Sequence, residues 1–194
     1  MMNRIHTDNN EIDFESVFNT LNEELSKANI SLELICAGGY VMQRHGYRAT
    51  NDIDAFFIAD KKINGIIEKV GEIFNINKND ELWLNNSIAN MNPQPPDKYC
   101  EIIYSFSHLT VKTVGIMYLL GMKFSSGREQ DLLDAADIIR HDKKDNPFEL
   151  QSILKDMDFV IDISMLLDVF GEAYGIDWLD EFYRQNEKEL QNYF

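Results

Sequence analysis

The sequence predicts an α/β protein of the α+β kind: a small mixed β-sheet flanked by helices, followed by a C-terminal helical bundle. Two observations carry this. Apolar runs of strand length at 31–37, 51–58, 99–106 and 109–114 alternate with segments of helical periodicity, whereas from Ile116 onward only helical periodicity remains. The composition agrees: 44% hydrophobic and 11% aromatic residues over 194 positions suit one ordinary core with a small helical part beside it. The expected organisation is an α/β core over 1–115 and a helical region packed on it over 116–194.

Each element has its own signal. Ile12, Phe14, Val17, Phe18, Leu21, Leu25 and Ala28 recur at three- and four-residue spacing, so 12–29 is an amphipathic helix, capped by Asp8, Asn9 or Asn10. The continuous apolar run 31–37 reads as a central strand, ended by Gly38 and Gly39. A short helix is expected over 40–45, stopped by Gly46. In 51–58, Asp52, Asp54, Phe56 and Ile58 share one face and Ile53, Ala55 and Phe57 the other, a strand buried along most of its length. Asp60 caps a helix that places Ile63, Ile66, Ile67, Val70, Ile73 and Phe74 on one side. Residues 75–80 form a polar loop, Trp83 and Leu84 sit on a short helix, and 92–97 is a proline-rich break. A hairpin turns at Ser107 and His108. Helices follow over 116–124, 128–141, 148–154, 159–174 and 176–193, with Asn146 as a cap, Pro147 at a first helical position and Gly175 as a stop; Leu132, Leu133, Ala136 and Ile139 form the buried side of the second.

Composition excludes several classes. No apolar run has the length of a transmembrane helix, and the first thirteen residues lack a signal-peptide core, so no membrane partner and a bacterial cytoplasmic location are expected. Cys36 and Cys100 read as two buried thiols, with no spacing for zinc. The formal net charge of −15 argues against extensive non-specific nucleic-acid binding. The four histidines are scattered.

The chemistry concentrates in 32–58. Asp52 and Asp54 project the same way from a strand, and adjacent carboxylates repel unless a cation lies between them. The Gly38-Gly39 turn feeding a helix offers bare backbone N–H groups, which suit an anion. A cation site beside a phosphate site points to chemistry on a nucleoside triphosphate.

Gly38-Gly39, twelve intervening residues and Asp52-Ile53-Asp54 resemble the signature of the DNA-polymerase-β-like nucleotidyltransferase superfamily. Three further pieces resemble the bacterial nucleotidyltransferase family DUF6036: Arg48-x-Thr50-x-Asp52-Ile-Asp54; Trp83-Leu84-Asn85 before a proline-containing loop; and Leu120-x-Met122-Lys123-Phe124-x-x-x-Arg128-x-x-Asp131-x-x-Asp134. The last is also similar to AbiEii-type toxin nucleotidyltransferases. The resemblance spans about residues 30 to 140. It implies that Asp52 and Asp54 hold Mg²⁺ (or Mn²⁺), with Lys123 in a catalytic role. It also implies that Gly38, Gly39, Arg48, Thr50, Lys123, Arg128 and Asp131 serve nucleotide binding. A nucleoside monophosphate would pass from an NTP to a hydroxyl of RNA, a protein or a small molecule. By the same resemblance the protein would be the toxin of a toxin–antitoxin pair with a cognate antitoxin. The superfamily adds a third carboxylate from a neighbouring strand. The expected neighbour, 109–114, holds Lys112 and no acid, and Glu101 is the nearest candidate. Two alternatives follow: a catalytically degenerate nucleotide- or protein-binding module, and an antibiotic-modifying nucleotidyltransferase. Convergence of Arg44, Arg48, Lys112, Lys123 and Arg128 on the aspartates would favour RNA; their scatter would favour a protein or small molecule.

Overall fold

Residues 12–78, 81–90, 92–191 and 193 are described in the computed structural model, and the chain divides into two compact units, one ending at Val114 and the other beginning at Gly115. In the first unit α1 (Phe14–Lys27) starts at Asp13, whose carboxylate accepts from the Ser16 amide; Asp8 to Asn10, the expected caps, lie outside the described residues, as does His6. β1 (Leu32–Ala37) runs directly into α2 (Gly38–Arg44), so the two glycines open the helix rather than precede it. β2 (Ile53–Phe56) follows, then α3 (Lys61–Phe74), where the Asp60 carboxylate accepts from the Lys62 and Ile63 amides at 2.8 Å. β3 (Leu84–Asn85), β4 (Cys100–Ser105) and β5 (Leu109–Val114) complete the sheet.

The sheet order is β3-β2-β1-β5-β4. β1 runs antiparallel to β2 and parallel to β5, β2 runs parallel to β3, and β4 and β5 form the expected hairpin. The β4–β5 register shifts between Ile102 and Tyr104, a bulge in the edge strand. The core of this unit joins the inner sides of α1 and α3 to one face of the sheet, around Phe18, Leu21, Leu34, Ile67, Trp83 and Val111.

Three expectations change here. Trp83 and Leu84 are not helical: Leu84 pairs with Ile53, and the Trp83 carbonyl accepts from the Ile53 amide at 2.7 Å, because the outer edge of β2 needs partners for its backbone groups. β2 ends at Phe56 and Ile58 is 86% exposed, since the ladder with β1 stops at the Ile35–Phe56 pair and the chain beyond it has no strand partner. Cys100 is only partly buried, whereas Cys36 is enclosed; both are free thiols, and burial raises the pKa of each.

The second unit holds α4 (Ile116–Ser126), α5 (Glu129–His141), α6 (Pro147–Asp156), α7 (Ile163–Tyr174), α8 (Ile176–Gln185) and α9 (Glu187–Leu190). Asn146 caps α6 with Pro147 at its first position, and Gly175, at φ +93°, separates α7 from α8. α5 packs on α7, where the Arg140 guanidinium donates to the Ala173 and Glu172 carbonyls and satisfies the end of that helix. The expected helix over 159–174 begins only at Ile163, because Asp162 caps it. The expected helix over 176–193 breaks at Asn186. On α5 Leu133 is 41% exposed, and Asp134 takes a buried position instead.

Trp83 fastens β3 to α3: it is 1% exposed and its indole N–H donates to the Ile67 carbonyl at 2.9 Å. Trp83→Phe removes this bond while the Ile67 carbonyl keeps its helical partner, and is expected to lower stability by about 0.5–1.5 kcal/mol, read as a lower urea midpoint in equilibrium unfolding.

Candidate active site

The site grows from one register. Ala37 pairs with Asp54 across β1 and β2, so the residue after Ala37 arrives beside the Asp54 carboxylate. That residue is Gly38, at φ +59°, a conformation only glycine adopts at no steric cost. A Cβ there would stand 2.9 Å from Asp54 Oδ2. At Gly39 a Cβ would stand 2.6 Å from Thr50 Oγ1 and 3.6 Å from Arg48 Nη1. The Thr50 hydroxyl donates to Asp52 Oδ1 at 2.9 Å, and the Thr50 amide donates to Gln43 Oε1 on α2 at 2.8 Å. The turn, Arg48, Thr50, Asp52 and Asp54 therefore form one constellation within the first unit.

On its other side Asp54 meets β3. Asn85 is its partner in register, and the Ser87 hydroxyl, which donates to Asn85 Oδ1 at 2.5 Å, lies 3.4 Å from Asp54 Oδ1. Asn85 Oδ1 accepts from the Ser87 amide at 3.1 Å, an Asx turn that sets the serine in place. Ser87 escaped sequence reasoning, and Asn85, quoted there within Trp83-Leu84-Asn85, was given no site role; the Asn-x-Ser spacing after Trp83-Leu84 was the available signal. Asp52 and Asp54 also border a hollow of about 590 Å³ that reaches toward Asn64 and Glu81.

No third carboxylate joins the pair from the sheet. The strand beside β2 is β3, and its residue level with Asp54 is Asn85. β5, the expected neighbour, pairs with β1 instead. Glu101 lies opposite Thr113, Thr113 opposite Cys36, and Cys36 opposite Ala55. Residues directly opposite share a face, so Glu101 is on the face of Ala55 and Asp54 on the reverse. The Thr113 hydroxyl donates to Glu101 there. Among the described residues no three His, Cys, Asp or Glu side chains stand close enough to hold a metal.

The expected cations of this unit do not converge. Arg44 hydrogen-bonds the Tyr40 and Tyr104 hydroxyls, and Lys112 pairs with Glu33 and Asp97 at 3.0 Å each. Arg48 alone among the cations of this unit that were singled out stands against the glycine turn. Lys123 and Arg128 belong to the second unit. The Lys123 ammonium, 4% exposed, lies 3.0 Å from Asp131 and 2.6 Å from Asp134. Arg128 Nε lies 2.7 Å from Asp131, with two-thirds of its side chain exposed. Burial raises the Asp131 pKa, but the Ser126 hydroxyl, the Lys123 charge and Arg128 outweigh it, and the carboxyl sits below its ordinary range.

A mixed sheet that sets a Gly-Gly turn against an Asp-x-Asp on the adjoining strand defines a nucleotidyltransferase-like fold. The chain belongs to the family described as nucleotidyltransferase of unknown function, DUF6036, which matches residues 13–163. Neither the curated proteins nor the solved structures include a match to it. Among the described residues no helix is long and apolar enough to cross a membrane.

Lys123→Met removes the cation buried between Asp131 and Asp134 and is expected to cost about 3–5 kcal/mol, measured by denaturant unfolding. The depressed Asp131 pKa has a definite sign: its contribution is fully present above the unfolded value of about 3.9 and lost as pH falls through the lower folded value. Asp131→Asn should accordingly flatten the loss of thermal stability in that acid window while lowering stability at neutral pH.

Proposed function

We propose that the protein is a Mg²⁺- or Mn²⁺-dependent nucleotidyltransferase that passes a nucleoside monophosphate from an NTP to a hydroxyl acceptor. The observation that carries this reading is the contact of Gly38 with Asp54, which makes the glycine turn and the carboxylate pair a single site. The donor set fits the cation. Mg²⁺ is bound through one or two carboxylates and completes its shell with phosphate oxygens and water, so two hard carboxylates without a third acidic ligand suit it. Held there, the cation would bridge the triphosphate and stabilise charge on the attacking and leaving oxygens.

The chain's own residues divide the work. Asp52 and Asp54 hold the metal, Thr50 orients the Asp52 carboxylate, and the Asn85–Ser87 turn borders that of Asp54. Gly38 and Gly39 admit phosphates close to the main chain because neither carries a Cβ. Arg48, beside Gly39, contributes a planar cation for a phosphate oxygen. Lys123 and Asp131 form the ion network of the second unit, and exposed Arg128 is its member suited to a phosphate.

The separate partners of Arg44, Lys112 and Lys123 support a protein or small-molecule acceptor over RNA. A toxin role with a cognate antitoxin in the bacterial cytoplasm belongs to the same reading. An antibiotic acceptor does also, since an acidic surface suits cationic drugs. Asn85 at the level of Asp54 favours one second reading, a degenerate module that binds Mg–NTP without turnover.

In a label-transfer assay with each NTP, Mg²⁺ and cell extract, the wild type should transfer label, and Asp52→Ala/Asp54→Ala should lose it while keeping the native circular-dichroism spectrum. Nucleotide binding without transfer would establish the second reading; absence of both would end the first. Gly38→Ala introduces a strained φ and a clash with Asp54, and should weaken Mg–NTP binding at least about tenfold by calorimetry, a loss of about 1.4 kcal/mol. Expression of the wild type should arrest bacterial growth if the toxin role holds, and the double aspartate variant should not.

A further inference from the structure

The hollow of about 590 Å³ beside Asp54 has a position and a chemistry of its own. β2 is flanked by β1 on one side and β3 on the other. The glycine turn reaches Asp54 from the β1 side, and the hollow meets it on the β3 side, along Asn85 and Ser87. A phosphoryl group transfers with the attacking and leaving oxygens roughly in line, on opposite sides of phosphorus. With the pyrophosphate leaving along the glycine side, the attacking hydroxyl enters from the hollow.

The lining selects the kind of molecule that carries this hydroxyl. The volume lies within the range of small-molecule sites. Asn51, Asn64 and Asn86 present amides, which both donate and accept and so match hydroxyl groups, against an apolar wall that includes Ile76 and Leu82. Among the described residues the hollow is lined by three carboxylates, Asp52, Asp54 and Glu81, and one ammonium, Lys78, and a bound Mg–NTP adds net negative charge, so an acceptor bearing its own phosphate is disfavoured. Glu81 is, among the described lining residues, the carboxylate outside the Asp52–Asp54 pair, and so the one placed to take a proton.

We propose that this hollow is the acceptor site, that it takes a small polyhydroxyl compound without phosphate, and that Glu81 receives the proton of the attacking hydroxyl. The proposal rests on the metal–nucleotide reading above. The acceptor oxygen forms a bond to the α-phosphorus. The bond from that phosphorus to the oxygen bridging to the β-phosphorus breaks, and its electron pair leaves with pyrophosphate. The hydroxyl proton passes to the Glu81 carboxylate and on to water.

The test uses the full chain, labelled NTP, Mg²⁺ and three fractions of cell extract: protein, RNA and a deproteinised small-molecule ultrafiltrate. Transfer is expected to the ultrafiltrate alone, to survive its treatment with phosphatase, and to be lost after quenched periodate oxidation of its diols. Asn64→Trp, which fills the hollow from an exposed helical position, and Glu81→Gln should each cut transfer at least about 100-fold, the scale of a lost general base, with Mg–NTP affinity unchanged by calorimetry. Label on RNA or protein, loss of acceptor activity with phosphatase, or full transfer by both variants would overturn the proposal. Loss of Mg–NTP binding in Asn64→Trp would overturn it too, by giving the hollow to the nucleotide. If the wild type bound no Mg–NTP at all, the metal–nucleotide reading itself would fall first, and the acceptor site with it.

Discussion

The pairing of Ala37 with Asp54 is the constraint on which the site depends. Strand side chains alternate, so a slip of one residue between β1 and β2 would turn Asp54 into the core and Ile53 out of it. Burial prevents that slip: Ile53 and Ala55 are wholly enclosed on the core face, against Leu34, Cys36 and Trp83. The apolar half of β2 thus fixes where its acidic half points. Gly38 then completes the arrangement, because a side chain at that point would occupy the space of the carboxylate. The hydrogen bond from Thr50 to Asp52 refines an orientation that the register has already imposed.

A chain of net charge −15 has few cations, and several of them are committed internally. Lys112 answers Glu33 and Asp97 on the sheet, and Arg44 serves two tyrosine hydroxyls. In the second unit Lys123 is enclosed with two aspartates, which ties α4 to α5. Such an enclosed charge stabilises only while its partners stay ionised and in place, so the α4–α5 junction is sensitive to acid in a way that a wholly apolar junction is not.

Much of this was readable in the residues. The bounds of β5, the caps at Asp60 and Asn146 and the adjacency of Gly-Gly to Asp-x-Asp follow from local chemistry: apolar runs, side chains that bond nearby amides, glycines at a turn. What local chemistry does not contain is the identity of a strand's neighbour. A two-residue strand has no periodicity, so Trp83 and Leu84 looked helical until the open edge of β2 claimed the segment. The face of Glu101 was hidden for the same reason, since it depends on three successive pairings across the sheet. Asp134 on a buried helical face reads as a break in amphipathicity, and only Lys123 on another helix explains it.

The bulge at Ile102 to Tyr104 bears on how the molecule behaves among copies of itself. Both margins of the sheet expose backbone groups that another chain could adopt as a template. At one margin β3 offers only two residues. At the other, β4 is long and carries Ile102 outward, but the register break interrupts its ladder midway. An incoming strand therefore finds no continuous run to zip along, and edge-to-edge growth of the sheet is disfavoured.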